Sequence, residues 1–209
     1  MSKIVFFGDS ITDANRDRQN DEFLGGGYAA MVKNQLCVNE PYENTYFNRG
    51  IGGNRIVDLY AQINGVTNLN PDVMSILIGV NDVWHKFYAN PNGVKTEKFE
   101  RVYSMLIDEI KEANPDVKIM ILEPFVLRGT GTEEYYSEFR ADVEDKAKAS
   151  RRIAEKYNLP FVELQSDFDR LYNQDYPATF VVDGVHPSPA GHTLIANKWI
   201  ETYNKFFKD

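Results

Sequence analysis

Cysteine is nearly absent: Cys37 stands alone among 209 residues, which excludes an intrachain disulfide and a zinc site built on thiolates. Histidine is scarce as well, with three in the chain, so any reaction needing an imidazole has few candidates. Positive charge is in deficit, with 23 Lys and Arg against 31 Asp and Glu and a net charge of -8. A basic face for nucleic acid is therefore not expected, and an anionic membrane surface would repel the chain. No apolar run reaches the roughly 20 residues needed to cross a bilayer. Met1-Ser2-Lys3 leads directly into Ile4 to Phe7, without the apolar stretch and cleavage site of an export signal. A reducing, cytoplasmic setting is the expectation.

What is present is the composition of a folded protein, 43% apolar, 13% aromatic and 26% charged, in a length that suits one domain over residues 1–209. Short apolar runs, Ile4 to Phe7, Thr45 to Phe47, Val73 to Ile78, Ile119 to Leu122 and Phe161 to Leu164, have the length of buried strands. Between the third and fourth, Phe99, Val102, Leu106, Ile107 and Ile110 recur at the spacing of one helical face. Tyr136, Phe139, Val143, Ala147, Ala154 and Tyr157 do the same between the fourth and fifth. Ser188 followed by Pro189 marks the start of a last helix carrying Leu194, Ile195, Trp199 and Tyr203. Strands alternating with helices predict a parallel sheet covered on both faces, that is, a three-layer α/β/α sandwich of five strands. The least regular stretches, Asp13 to Gly27, Phe87 to Thr96, Phe125 to Glu134 and Asp167 to Gly184, are where site walls are expected.

In such a sheet, ligands bind beyond the carboxyl ends of the strands. Polar motifs fall there: Gly8-Asp9-Ser10 after the first strand, Asn48 to Asn54 after the second, Gly79-Val80-Asn81-Asp82 after the third. A fourth, Asp183-Gly184-Val185-His186-Pro187, precedes the last helix. Ser10, with Asp13 three residues on, reads equally as a helix cap or as a nucleophile. A serine opening a helical turn has its own N–H free above the positive end of the helix dipole, which suits an oxygen gaining negative charge.

A serine hydroxyl needs a base to take its proton. His85 and His192 have no carboxylate at a suggestive spacing, whereas His186 has Asp183 three residues earlier. That spacing lets a carboxylate hold the ring's Nδ1–H and leave Nε2 to accept a proton; equally, Asp183 could only cap a surface loop. Gly53 would admit a backbone N–H close to a substrate, and the Asn81 amide could donate from the neighbouring strand end, although both residue types also form turns.

Gly8-Asp9-Ser10, Gly53, Gly79-x-Asn81-Asp82 and Asp183-x-x-His186-Pro187 together resemble the four signature blocks of the SGNH (GDSL-like) hydrolase superfamily, over practically the whole chain. Ile11 stands where the GDSL pattern has Leu. The resemblance implies the flavodoxin-like SGNH fold and a serine ester hydrolase acting through an acyl-enzyme. It makes Ser10 the nucleophile, His186 with Asp183 the base, and the N–H groups of Ser10 and Gly53 with the Asn81 amide an oxyanion hole. A closer likeness, to the cytoplasmic acetylxylan esterase branch, rests on Phe7 to Asp13, Gly25 to Tyr28, Gly52-Gly53-Asn54, Asn81 to Trp84, Pro124-Phe125, Val185-His186-Pro187 and Gly191-His192. It points to acetyl groups on xylo-oligosaccharides or similar small sugars, with no cofactor, and allows a homo-oligomer.

Trp84, beside Asn81, is expected to wall the substrate pocket, while Tyr135-Tyr136 and Phe206-Phe207 are expected in the core or at subunit contacts. Gly25-Gly26-Gly27 follows no strand and lacks the Gly-Lys-Ser/Thr ending of a phosphate loop. His186 and His192 with Asp183 form no recognised metal-ligand pattern, so no metal is expected. Two other functions stay open at this point: a lysophospholipase or thioesterase, which should have a longer apolar acyl channel, and a non-catalytic carbohydrate-binding protein on the same scaffold.

Overall fold

The computed structural model describes residues 1–88 and 90–208. Five strands, β1 (Ser2–Gly8), β2 (Asn44–Gly50), β3 (Val73–Leu77), β4 (Lys118–Leu122) and β5 (Phe161–Val162), form one sheet in the order β2-β1-β3-β4-β5. Every neighbouring pair is parallel. The helices are α1 (Ser10–Asp13), α2 (Tyr28–Asn39), α3 (Ile56–Ala61), α4 (Asn64–Thr67), α5 (Val80–Trp84), α6 (Thr96–Ala113), α7 (Tyr136–Lys156), α8 (Gln165–Leu171) and α9 (Pro189–Phe206). This is the three-layer α/β/α sandwich expected of the pattern.

The sheet is buried on both faces because its side chains alternate between two cores. Ile4 and Phe6 of β1 belong to one core, and Val5 and Phe7 to the other. On the first face, the Phe6 ring meets Tyr28 of α2 edge-on at 5.8 Å and Trp199 of α9 at 5.5 Å, and α2 packs on α9. On the second, the apolar stripe of α6, from Phe99 to Ile110, is fully covered. Burying each such side chain contributes about 1.5–3 kcal/mol.

No strand keeps quite the bounds of its apolar run: β1 is longer at both ends, β3 and β4 differ by one residue, and β2 and β5 depart for visible reasons. β2 runs past Phe47 to Gly50 because its ladder with β1 continues through polar residues, Asn48 pairing with Phe6 and Gly50 with Gly8. β5 stops at Val162 rather than Leu164. The Glu123 carboxylate there takes the N–H groups of Leu164 and Gln165, at 2.7 and 2.9 Å, and turns the chain into α8.

The chain leaves β1 for β2 on one side and returns to β3 on the other, so the strand order reverses between β1 and β3. Gly8, Gly50 and Leu77 lie level at the carboxyl ends of these strands. A crevice opens at such a reversal.

Candidate active site

Ser10 is the first residue of α1, a single turn that ends on Ala14 in the left-handed region (φ 42°). The cap is Asp9, not Ser10: Asp9 Oδ1 accepts the N–H of Ile11 at 3.0 Å. Since the Asp9 side chain does the capping, the Ser10 hydroxyl is left for other work. Asp9 is buried and its Oδ2 has no partner among the described residues. Loss of hydration, outweighing the Ile11 N–H and the nearby His186, pushes its carboxyl up to about 7.

Ser10 Oγ lies 2.9 Å from His186 Nε2, across 176 positions of sequence. Asp183 Oδ2 lies 2.7 Å from His186 Nδ1, while Asp183 Oδ1 accepts the N–H groups of Val185 and His186 at 2.9 and 2.8 Å. The local reason is a tight loop closed by the Val182 N–H on the His186 carbonyl at 2.7 Å. Gly184 sits in it at φ 102°, where an added Cβ would fall 2.4 Å from Thr132 Oγ1. Partial burial works against the Asp183 charge, but the His186 ring and two backbone N–H groups prevail and hold its carboxyl down at about 2. In return the Asp183 hydrogen bond raises the His186 pKa against its desolvation. The loop is tied from outside as well, the Gly131 N–H reaching the Asp183 carbonyl and the Leu127 N–H that of Gly184, both at 2.8 Å.

Gly53 adopts φ 83°, and an added Cβ there would meet nothing within 4 Å. The glycine is thus required by the backbone conformation and not by crowding. Asn81, on α5, is buried and donates one amide hydrogen to the Asn54 carbonyl at 3.1 Å, leaving its second free. Neither the Ser10 nor the Gly53 N–H has an acceptor among the described residues. Two contacts that local sequence did not reveal hold these pieces together. Both oxygens of buried Asp82 accept the Ile56 N–H, at 3.2 and 3.1 Å, anchoring α3 just beyond Asn54. Asn48 Nδ2 donates to the carbonyls of Thr12 and Leu24 at 2.6 and 2.8 Å, locking α1 to the following loop.

Ser10 and His186 open onto a pocket of about 790 Å³ whose wall includes Asp13, Asn15, Arg16, Arg18, Gly52 and His192. Trp84 does not line it. Its ring lies 5.8 Å from that of His186 and 6.0 Å from that of Phe139, facing a neighbouring pocket of about 170 Å³. Tyr135, expected in the core or at a subunit contact, stacks on Phe87 at 4.8 Å and lines this same small pocket. Phe206 is exposed. His192 serves the scaffold, its Nδ1 accepting the Tyr28 N–H at 3.2 Å at the start of α2. Burial, and then the His186 charge, bring its pKa down to about 4. Among the described residues no three His, Cys, Asp or Glu side chains converge as a metal site, and no helix is long and apolar enough to cross a membrane.

A hydroxyl, an imidazole and a carboxylate in series at the edge of a cleft, with unpaired N–H groups on neighbouring loops, are the parts from which an acyl-transfer site can be built. Residues 6–194 match the model of the GDSL-like lipase/acylhydrolase family, and the chain belongs to that family. It is a carboxylic ester hydrolase. It is 34% identical to an acetylxylan esterase of Geobacillus stearothermophilus, over 95% of this chain and 92% of that one. A crystal structure of an acetylxylan esterase from that organism superposes with a TM-score of 0.85 at 32% identity, covering 96% of this chain and 93% of the other. A Parabacteroides merdae protein described as a GDSL-like lipase reaches a TM-score of 0.89 at 36% identity, over 96% and 94%.

Proposed function

We propose that the protein removes acetyl groups from xylo-oligosaccharides or similar small acetylated sugars by serine acyl transfer. Ser10 Oγ bonds to the ester carbonyl carbon while its proton passes to His186 Nε2. The carbonyl oxygen gains the negative charge and takes hydrogen bonds from the N–H groups of Ser10 and Gly53 and from the free Asn81 amide hydrogen. The carbon–oxygen bond to the sugar then breaks, and the departing oxygen receives the proton from His186. Water attacks the acetyl-Ser10 ester, gives a proton to His186, and acetate leaves as Ser10 recovers its hydrogen. Asp183 holds the ring and offsets its transient charge.

The observation that carries this reading is the unbroken series Ser10 Oγ, His186 and Asp183, with spacings of 2.9 and 2.7 Å. Support comes from the Geobacillus acetylxylan esterase, whose structures include catalytic mutants of a serine, an aspartate and a histidine, the last two three positions apart. Trp84, packed on the His186 ring but facing the neighbouring small pocket, would offer an amphipathic surface to a substrate group that reaches that pocket. With Cys37 its one thiol the chain needs no oxidising compartment, and we place it in the cytoplasm.

The test is hydrolysis of p-nitrophenyl acetate and of acetylated xylo-oligosaccharides by Ser10→Ala and His186→Ala. Losses on the order of 10⁴-fold are expected, with circular dichroism unchanged. Retention of most activity by either folded variant would refute the mechanism.

A further inference from the structure

The catalytic pocket carries a cation that the acyl-transfer steps above do not use. Arg16 lines it, half-buried, at the end of a turn in which Ala14 and Asn15 both have positive φ. Its Nε donates to the Gly50 carbonyl at 2.8 Å, which fixes the plane of the guanidinium. Among the described residues its two terminal nitrogens have no hydrogen-bond partner and no carboxylate within 4 Å. The acidic groups nearest to it are already taken. Asp13 Oδ2 pairs with Arg18 at 3.0 Å and accepts the Gly52 N–H at 3.3 Å. Asp21 receives both terminal nitrogens of Arg49, at 2.5 and 3.0 Å. The pocket wall thus holds Arg16 and Arg18 against the single carboxylate of Asp13, in a chain whose net charge is -8.

A guanidinium tethered through Nε presents its remaining donors as a planar fork, the geometry that matches a carboxylate. We propose that Arg16 is a specificity residue that binds the carboxylate of an acidic sugar. The preferred substrates are then acetyl esters of uronic-acid-bearing oligosaccharides rather than of neutral ones. This deepens the deacetylation reading of the same pocket and rests on it. Because a carboxylate distant from the ester contributes equally before and at the transition state, its benefit falls on KM more than on kcat.

The experiment compares monoacetylated methyl glucuronide with monoacetylated methyl glucoside, which differ by a carboxylate in place of a hydroxymethyl group, on the wild type, Arg16→Gln and Arg16→Lys. At low ionic strength the wild type is expected to favour the glucuronide about tenfold in kcat/KM, mainly through KM, with the preference shrinking as salt is added. Arg16→Gln should bring the ratio near one, and Arg16→Lys, a point charge without the fork, should leave an intermediate value. A wild-type ratio of one or less, a ratio that survives Arg16→Gln, or equal losses on both sugars would overturn the proposal. Calorimetric titration of wild type and Arg16→Gln with unesterified methyl glucuronide and methyl glucoside separates this from the chemistry. Tighter binding of the glucuronide that depends on Arg16 upholds the site even if neither ester is turned over, a result that would refute the sugar-deacetylation reading instead.

Discussion

Asp183 Oδ2 stands 2.7 Å from His186 Nδ1, and this contact decides which ring nitrogen is free to act. A neutral ring held in this way keeps its hydrogen on Nδ1, so Nε2, 2.9 Å from Ser10 Oγ, carries the lone pair. The same carboxylate raises the His186 pKa and is itself held near 2. It therefore stays charged wherever the ring titrates.

The pH dependence follows in sign. Only the neutral ring accepts a proton, so kcat/KM for p-nitrophenyl acetate should rise with pH to a plateau, with a midpoint above the ordinary histidine value of about 6.5. Asp183→Asn should lower the plateau on the order of 10⁴-fold, because the amide favours the wrong tautomer. A profile that peaks in acid would contradict the role of His186.

Under the proposed mechanism, Asn81→Ala and Gly53→Ala should separate two ways of losing an oxyanion donor. Removing the Asn81 amide deletes a donor outright and is expected to lower kcat by about 10²- to 10³-fold, with KM little changed. Gly53→Ala meets no atom within 4 Å, so its penalty is the positive φ alone. A stability loss of about 1 kcal/mol and a smaller fall in kcat are expected as the N–H swings out of line. Steady-state kinetics with thermal melts read both; a pure KM effect of Asn81→Ala would make it a substrate-positioning residue.

Asp82→Ala tests whether the loop of the proposed oxyanion donors is held from behind. It leaves the buried Ile56 N–H without its acceptor, at a cost of about 1–3 kcal/mol. Asp82→Asn retains an oxygen, and burial already drives the native carboxyl toward its neutral form. The asparagine should therefore recover most of the melting temperature and of kcat. Equal damage from both variants would refute the positioning role.

His192 adds a stability term of definite sign. Its pKa of about 4, against 6.5 unperturbed, means the unfolded chain binds a proton between those values while the folded chain does not. Stability should fall as pH drops from about 6.5 to 4, and His192→Gln should flatten that slope in urea melts. Asp9, raised to about 7 from 3.8, acts oppositely, favouring the folded state below 3.8 and losing that contribution as pH rises to about 7. A slope unchanged by His192→Gln would rule out the proton uptake assigned to it.

The fold was legible because each strand is a contiguous apolar run and each long helix repeats its apolar face, signals that survive without tertiary knowledge. The residues that meet in the cleft were legible as motifs at strand ends, since the chemistry sits in short fixed spacings such as Asp183 to His186. Asp9 as the cap instead of Ser10 was not, because both residue types cap helices and the choice depends on which side chain the cleft leaves buried. The bonds of Asp82 to Ile56 and of Arg16 to Gly50 span 26 and 34 positions and exist only once β1, β2 and β3 lie side by side. The place of Tyr135 was hidden for the same reason: an aromatic next to the start of a helical face reads as core until Phe87 and Trp84 are seen to share its wall.

Acyl length is the remaining test, and it separates an acetyl esterase from a lipase-like enzyme. The pocket that Trp84 lines is about 170 Å³, closed in by Phe87, Tyr135 and Phe139, and the Trp84 ring is fixed between His186 and Phe139. If the acyl group points toward Trp84, an acetyl methyl fits with no rearrangement. Acyl chains that outgrow this space must then displace packed rings, and overpacking costs on the order of 1–3 kcal/mol. Turnover of p-nitrophenyl esters is therefore expected to fall from short acyl chains to long ones and to be negligible for octanoyl. Trp84→Ala should open this wall and raise the octanoyl-to-acetyl ratio of kcat/KM by about tenfold or more, even though total activity drops as His186 loses a packing neighbour. A wild type that prefers octanoyl esters, or a ratio indifferent to Trp84→Ala, would remove Trp84 from the acyl side and favour the long-chain acyl hydrolase.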